Sequence, residues 1–290
     1  GTLTKDGLDF AGVLVAAPDS TEDEGGGGGG AGWAAPLIPF TPAACAPELL
    51  AALASCHSVS LLADDLVGLQ LEVEILRATG WSLTEPHGAP PLVRGAAADG
   101  SQRVEILRRC EFDHVSMTMS VVARLADGGL RCFCKGAPEA LAKRCDPASL
   151  PADYAAVAAA HALQGYYVIG LAAKDMGELS DVEMREAPRT ALEAELRFAG
   201  LLLFRNELKP SSAAAIAELK EGGVRTIMLT GDNAQCAHYI ARAAGITAEG
   251  GTVLVATLED EPVLPPPHKP DGPPVQAVRW RPMADGGDAS

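Results

Sequence analysis

Apolar positions along this chain fall into two kinds of pattern. Through the middle, residues 103–112, 119–125 and 130–134 form short β-branched and aromatic blocks that read as strands. Asp127-Gly128-Gly129, between the last two, is a hairpin signal. Residues 47–55 have helical spacing, with Pro47 at the start and Glu48 in the first turn. Helices are also predicted over 138–144 and 151–163, and a strand over 166–173. Strands meeting at hairpins, with helices among them, predict an α+β domain. From Leu196 the pattern changes. An apolar strand (196–204) precedes a helix (211–221) ended by Gly222-Gly223; a second strand (224–229) precedes Thr230-Gly231-Asp232-Asn233 and a helix closed by Gly245. Strand, helix, strand, helix predicts a parallel, doubly wound sheet. Ligands in such sheets sit beyond the carboxyl ends of strands, where Thr230, Gly231 and Asp232 stand.

Composition narrows the function. Six glycines, Gly25 to Gly30, follow Glu22-Asp23-Glu24 and read as a flexible surface insertion. The proline-rich tail from Pro262 reads as an exposed, disordered segment. A net charge of −15 argues against a nucleic-acid partner, which calls for a basic stripe, but not against one bound nucleotide. The longest apolar stretch lies around 198–204, far short of a membrane helix, and the N-terminus shows no signal peptide. Seven scattered cysteines form neither a disulfide framework nor a zinc spacing, and read as reduced core thiols. The six histidines show no metal spacing.

Two motifs carry chemistry. "KGAPE", Lys135 to Glu139, follows a strand and opens a helix: Gly136 frees the backbone, Pro138 suits the first turn, and Lys135 brings a positive charge. Taken alone it is equally a strand-to-helix turn with a surface lysine. "MLTGDN", Met228 to Asn233, delivers a hydroxyl, a glycine and a carboxylate into one turn, fit to hold a phosphoryl group; the same Asp232 and Asn233 also suit a helix cap. Their order decides. "GTLT" opens the chain, "KGAPE" stands mid-chain, and "TGDN" follows a strand and helix.

In that order the motifs resemble the P-type ATPases, in which Asp-Lys-Thr precedes Gly-Thr-Leu-Thr and the Asp is phosphorylated by ATP. "KDGLDFAGV", "CHSVSLLADDLVG", "ATGW", "GYYVIGLAAKD" and "NELKP" extend the resemblance over nearly the whole chain and look like the fifth subclass, B branch, of cation- and polyamine-transporting pumps. The resemblance implies an α/β fold: a split, truncated, Rossmann-like (haloacid-dehalogenase-like) phosphorylation domain with an inserted α+β nucleotide-binding domain. Residues 1–12 would start the phosphorylation domain, 13–194 would be the nucleotide-binding domain with its Gly-rich insertion at 22–36, 195–256 the return, and 257–290 a Pro-rich disordered or inserted segment.

Residue roles follow from the same resemblance. Phe112 matches an aromatic that stacks on adenine, Lys135 with Gly136 the floor of the adenine pocket, Glu72 an acid that hydrogen-bonds the adenine amino group, and Lys174 a base along the phosphates. Thr230, Gly231, Asp232 and Thr2 match the phosphoryl-holding groups. Two departures stand out: "GLQ" (Gly68-Leu69-Gln70) replaces the usual "GDP", and His114 and Met117 stand where relatives place a basic residue. The implied mechanism attacks Mg-ATP with the Asp carboxylate and passes through an aspartyl phosphate. The chain starts just after that Asp and stops before the family's magnesium-binding motif. The expectation is therefore a cytosolic fragment that binds ATP without turning it over. Magnesium and the membrane and actuator parts would belong to the complete pump, at an endosomal, lysosomal or vacuolar membrane. The alternative is a standalone nucleotide-binding regulatory or interaction module.

Overall fold

Prolines and glycines set the ends of the elements. After β1 (Asp9–Val15), Pro47 opens α1 (Pro47–Ser55), with Glu48 in its first turn. A small hairpin of β2 (Ser60–Leu62) and β3 (Asp65–Val67) leads to α2 (Gln70–Thr79), which stops at Gly80 in the left-handed conformation. Short β4 (Ser82–Thr84) and β5 (Leu92–Arg94) precede the long strands β6 (Arg103–Asp113), β7 (Thr118–Leu125) and β8 (Leu130–Gly136). Then come α3 (Pro138–Ala142), α4 (Tyr154–Leu163), β9 (Tyr166–Asp175), α5 (Asp181–Glu186), α6 (Arg189–Leu192) and β10 (Arg197–Arg205). The computed structural model describes residues 2–5, 7–17, 31–97, 100–231, 234–247, 252–263 and 275–282. They divide into two units, Gly1–Glu207 and Leu208–Ser290.

Eight strands of the first unit form one sheet, in the order β1-β10-β9-β8-β7-β6-β5-β4. Every ladder in it is antiparallel. Because side chains alternate between faces, each strand feeds two cores. On one face Met119, Phe133, Leu171, Leu202 and Phe204 pack with α1 and α2 through Leu49, Leu53, Ile75 and Leu76. On the other, Cys134, Ala172, Leu201 and Leu203 pack with α3 and α4 through Leu141 and Tyr154. Farther along that second face, Cys110, Val122 and Cys132 meet Met184 and Leu192 of α5 and α6. All seven cysteines are buried free thiols. Burial pushes the Cys56 thiol up to about 12.

The expected parallel sheet is absent among the described residues. The 196–204 run becomes β10, which pairs antiparallel with β1 and β9 inside the first unit. A continuous apolar run marks a strand buried on both faces but carries no information on the direction of its neighbours. In the second unit, α7 (Ser212–Glu221) and α8 (Ala234–Ala243) stand where helices were predicted. Residues 224–229 are not a strand, and Leu229 is 94% exposed. A buried parallel strand needs neighbours on both sides, and no described strand pairs with this segment. Part of the tail expected to be disordered or inserted lies in β11 (Leu254–Val263) and β12 (Val275–Pro282), an antiparallel pair with a register shift between Leu258 and Pro262; its residues 264–274 and 283–290, and residues 22–30 of the Gly-rich insertion, lie outside the described residues. Among the described residues no helix is long and apolar enough to cross a membrane.

Candidate functional site

Lys135 lies on β8 opposite Met119 of β7 and Leu171 of β9. Directly paired residues share a face, so Lys135 points to the α1–α2 side, where α2 brings Glu72. The two side chains are 5% and 1% exposed, and Lys135 Nζ lies 2.9 Å from Glu72 Oε1. Glu72 Oε2 accepts from the backbone N–H and the hydroxyl of Ser58, both at 2.9 Å. Burial pushes the Glu72 carboxyl up, but Lys135 and the Ser58 donors outweigh it and hold it below the usual carboxylate range. α2 starts without a side-chain cap, because Leu69 stands at its N-cap; this is the local consequence of "GLQ".

Gly136 is required by a close approach. A Cβ there would come within 2.3 Å of the Met117 carbonyl. The next residue, Ala137, donates its N–H to that same carbonyl at 3.0 Å. The "KGAPE" turn is thereby tied to the β6–β7 hairpin that carries Phe112. Phe112 is 39% exposed, and the His114 ring meets it edge-on at 5.1 Å and 88°. Met117 closes the turn with φ of 53°. A large ring offered to solvent, on a hairpin tied to the turn that follows a buried ammonium, can hold a flat, polarisable ligand with polar edges.

Lys174 is not brought to this group. It pairs across the sheet with Cys132, three residues from Lys135 and so on the opposite face. Its Nζ donates to the Ala194 carbonyl at 2.9 Å. Thr2 is exposed in the first unit; Thr230 and Gly231 are exposed in the second. Asp232 lies outside the described residues.

Sequence reasoning missed the most heavily bonded carboxylate of the molecule's described part. Glu193, after α6, is 3% exposed and accepts from Arg189 Nε (2.7 Å), Ser120 Oγ (2.8 Å), Thr118 Oγ1 (2.9 Å) and Arg144 Nε (3.2 Å). Burial raises its carboxyl; the Ser120, Arg189 and Thr118 bonds more than offset that and bring it below the ordinary value. It borders a cleft of about 740 Å³ shared with Asp113, Ser116, Arg144 and Glu195. The available signal was the i,i+4 spacing of Arg189 and Glu193.

Residues 93–211 match the family model described as "P-type ATPase, cytoplasmic domain N". Over this stretch the chain is a P-type ATPase N domain. The chain is 33% identical over 276 residues to the probable cation-transporting ATPase 13A5 of Homo sapiens, covering 90% of this chain and 22% of that protein. It is 32% identical to the human polyamine-transporting ATPase 13A2 over 86% of this chain and 21% of that one. The probable cation-transporting ATPase 13A4 of Gallus gallus is 29% identical over 98% of this chain and 23% of its own length. The chain thus spans about a fifth of the length of these relatives, which represent the subclass and branch indicated by the motifs. The eight-stranded antiparallel sheet, rather than the Rossmann-like domain, is the part of the family's expected fold found in the described residues.

Proposed function

We propose that this chain supplies the adenine-nucleotide site of an ATP-driven cation pump. Adenine would stack on Phe112, with Lys135 at the floor of the pocket. Glu72 is deeply buried with both oxygens engaged, so its role would be to fix the Lys135 ammonium. The observation that carries this reading is the tie between the buried Lys135–Glu72 pair and the exposed Phe112 hairpin, made through Gly136 and Ala137. Lys174, held by backbone carbonyls on the other face, has no part in it. Phosphorylation of an Asp, transport of a cation or polyamine, and a position on the cytosolic face of a membrane would be properties of the complete pump. Magnesium would likewise belong to the complete pump.

Titration calorimetry with ATP tests the site. Phe112→Ala should weaken binding by about 1–3 kcal/mol, the range for base–aromatic stacking. Equal affinity of this variant and the unaltered chain would refute the stacking role.

A further inference from the structure

The hairpin that presents Phe112 has little apolar packing of its own. Val115 is 93% exposed, Phe112 and Met117 are both exposed, and the cleft bordered by Asp113 and Ser116 opens beside it. Its neck is also irregular. Cys110 pairs with Ser120 and Asp113 with Thr118, so Glu111 and Phe112 together face Met119 alone. A bulge of this kind leaves backbone groups that the ladder cannot serve. One side chain serves them. Arg189 Nη1 donates to the Glu111 carbonyl at 2.8 Å and Nη2 to the Thr118 carbonyl at 2.7 Å. These two carbonyls bracket the turn, one just before Phe112 and the other just after Met117. The third donor, Nε, is anchored on Glu193, which in turn holds the Thr118 and Ser120 hydroxyls. Thr118 and Ser120 pair with Gly136 and Cys134, so this anchor lies on the face opposite Lys135.

We propose that Arg189 is a positioning residue for the nucleotide: from the far side of the sheet it fixes the neck of the hairpin that aims Phe112. This rests on the stacking role of Phe112 given above. A planar guanidinium with diverging N–H groups can span two carbonyls and a carboxylate at once; an ammonium on a flexible stem cannot hold all three in fixed geometry. Met117 N–H donates to the Asp113 carbonyl (2.7 Å), Ser116 N–H to the Asp113 carboxylate (2.8 Å), and Ala137 N–H to the Met117 carbonyl; these bonds close the tip and its far end but none reaches the bulged Glu111 and Phe112, so loss of Arg189 should free Phe112 to sample orientations that do not stack.

The test is a double-mutant cycle on the 290-residue chain, read by titration calorimetry with ATP. Phe112→Ala should weaken binding by about 5- to 140-fold. Arg189→Ala and Arg189→Lys should each weaken it by about fivefold or more, and by no more than Phe112→Ala does. In the Phe112→Ala background, Arg189→Ala should add less than about twofold, since residues acting through one contact are not additive. Amide hydrogen exchange should rise in residues 112–117 of Arg189→Lys while the sheet strands stay protected, a pattern that a general loss of stability would not give. Should Arg189→Ala fail to fold, Arg189→Lys and its double variant decide the same question. Phe112→Ala weakened with Arg189→Lys unchanged would overturn the clamp alone. Independent, multiplying effects would also overturn it. Phe112→Ala unchanged would overturn the stacking reading and, with it, this role.

Discussion

Glu72 and Glu193 are buried carboxylates on opposite faces of one sheet, and they are held in different ways. Glu72 has one countercharge, Lys135, which is itself buried, and otherwise the two donors of Ser58. Glu193 has two arginines, each about a quarter exposed (25% and 27%), and two hydroxyls from β7. Both carboxyls titrate below the usual range. The first arrangement rests on a single close ammonium–carboxylate contact. The second shares one charge among several donors and suits a fixed anchor. The contrast separates a single buried pair from a carboxylate shared among several part-exposed donors.

The largest break should come from Lys135→Met. It removes the ammonium that lies 2.9 Å from Glu72 Oε1, and removing one partner of a buried pair typically costs about 3–5 kcal/mol. Urea denaturation at neutral pH should show a loss of that order. The double variant Glu72→Gln with Lys135→Met should recover most of it, because the desolvated charge is gone. A double variant as unstable as the single one would mean that Lys135 contributes packing rather than charge.

The Glu72 side also carries the steeper pH dependence. His57 is 1% exposed and its Nδ1 accepts from the Val59 N–H at 3.1 Å. Burial, reinforced by the nearby Lys135 and Arg109 charges, pushes its pKa down to about 4 from 6.5. In the unfolded chain the imidazole takes a proton below about 6.5; in the folded chain it stays neutral until about 4. Its contribution is therefore present above 6.5 and lost as pH falls, by about 3 kcal/mol in all across that window. The two carboxylates act lower. Their folded values are depressed, so their contribution is present above the unfolded value of about 4.3 and disappears as pH falls through the folded one. Denaturation midpoints at pH 7 and pH 4.8 should differ clearly in the unaltered chain and less in His57→Asn. Identical slopes would place the acid sensitivity elsewhere.

These differences bear on what a sequence makes legible. The helix at 47–55 and the strands of the central hairpins follow from local signals that tertiary contacts reinforce: Pro47 at a helix start, Asp127-Gly128-Gly129 at a turn, alternation feeding two cores. The direction of β10 was not legible, since its apolar run suits a central strand in either kind of sheet. The 224–229 run has strand composition, but composition supplies no partner, and Val224 and Ile227 are left exposed. At the site, Lys135, Glu72 and Phe112 were named by motif, and the first two meet in the structure. Lys174 was named in the same way and lies on the other face, because a motif gives a position along the strand while the face depends on register. Glu193 was missed for a further reason: its partners come from β7, α6 and the residues after α3, three segments that only the fold gathers.

The smallest effect should sharpen the contrast from the Glu193 side. Arg144 Nε lies 3.2 Å from Glu193 Oε2, and its Nη1 donates to the Ala140 carbonyl at 3.2 Å. Arg144→Met removes one of two countercharges, yet Arg189, Thr118 and Ser120 still serve the carboxylate. The loss should be near the low end for one charge-assisted hydrogen bond, about 1.5 of the usual 1.5–3 kcal/mol, below that of Lys135→Met in the same urea series. The methionine stem can keep the apolar packing along the cleft wall while water replaces the exposed part of the guanidinium. A loss equal to that of Lys135→Met would show that Glu193 leans on Arg144 as Glu72 leans on Lys135, and the distinction between a shared anchor and a single dependent pair would not stand.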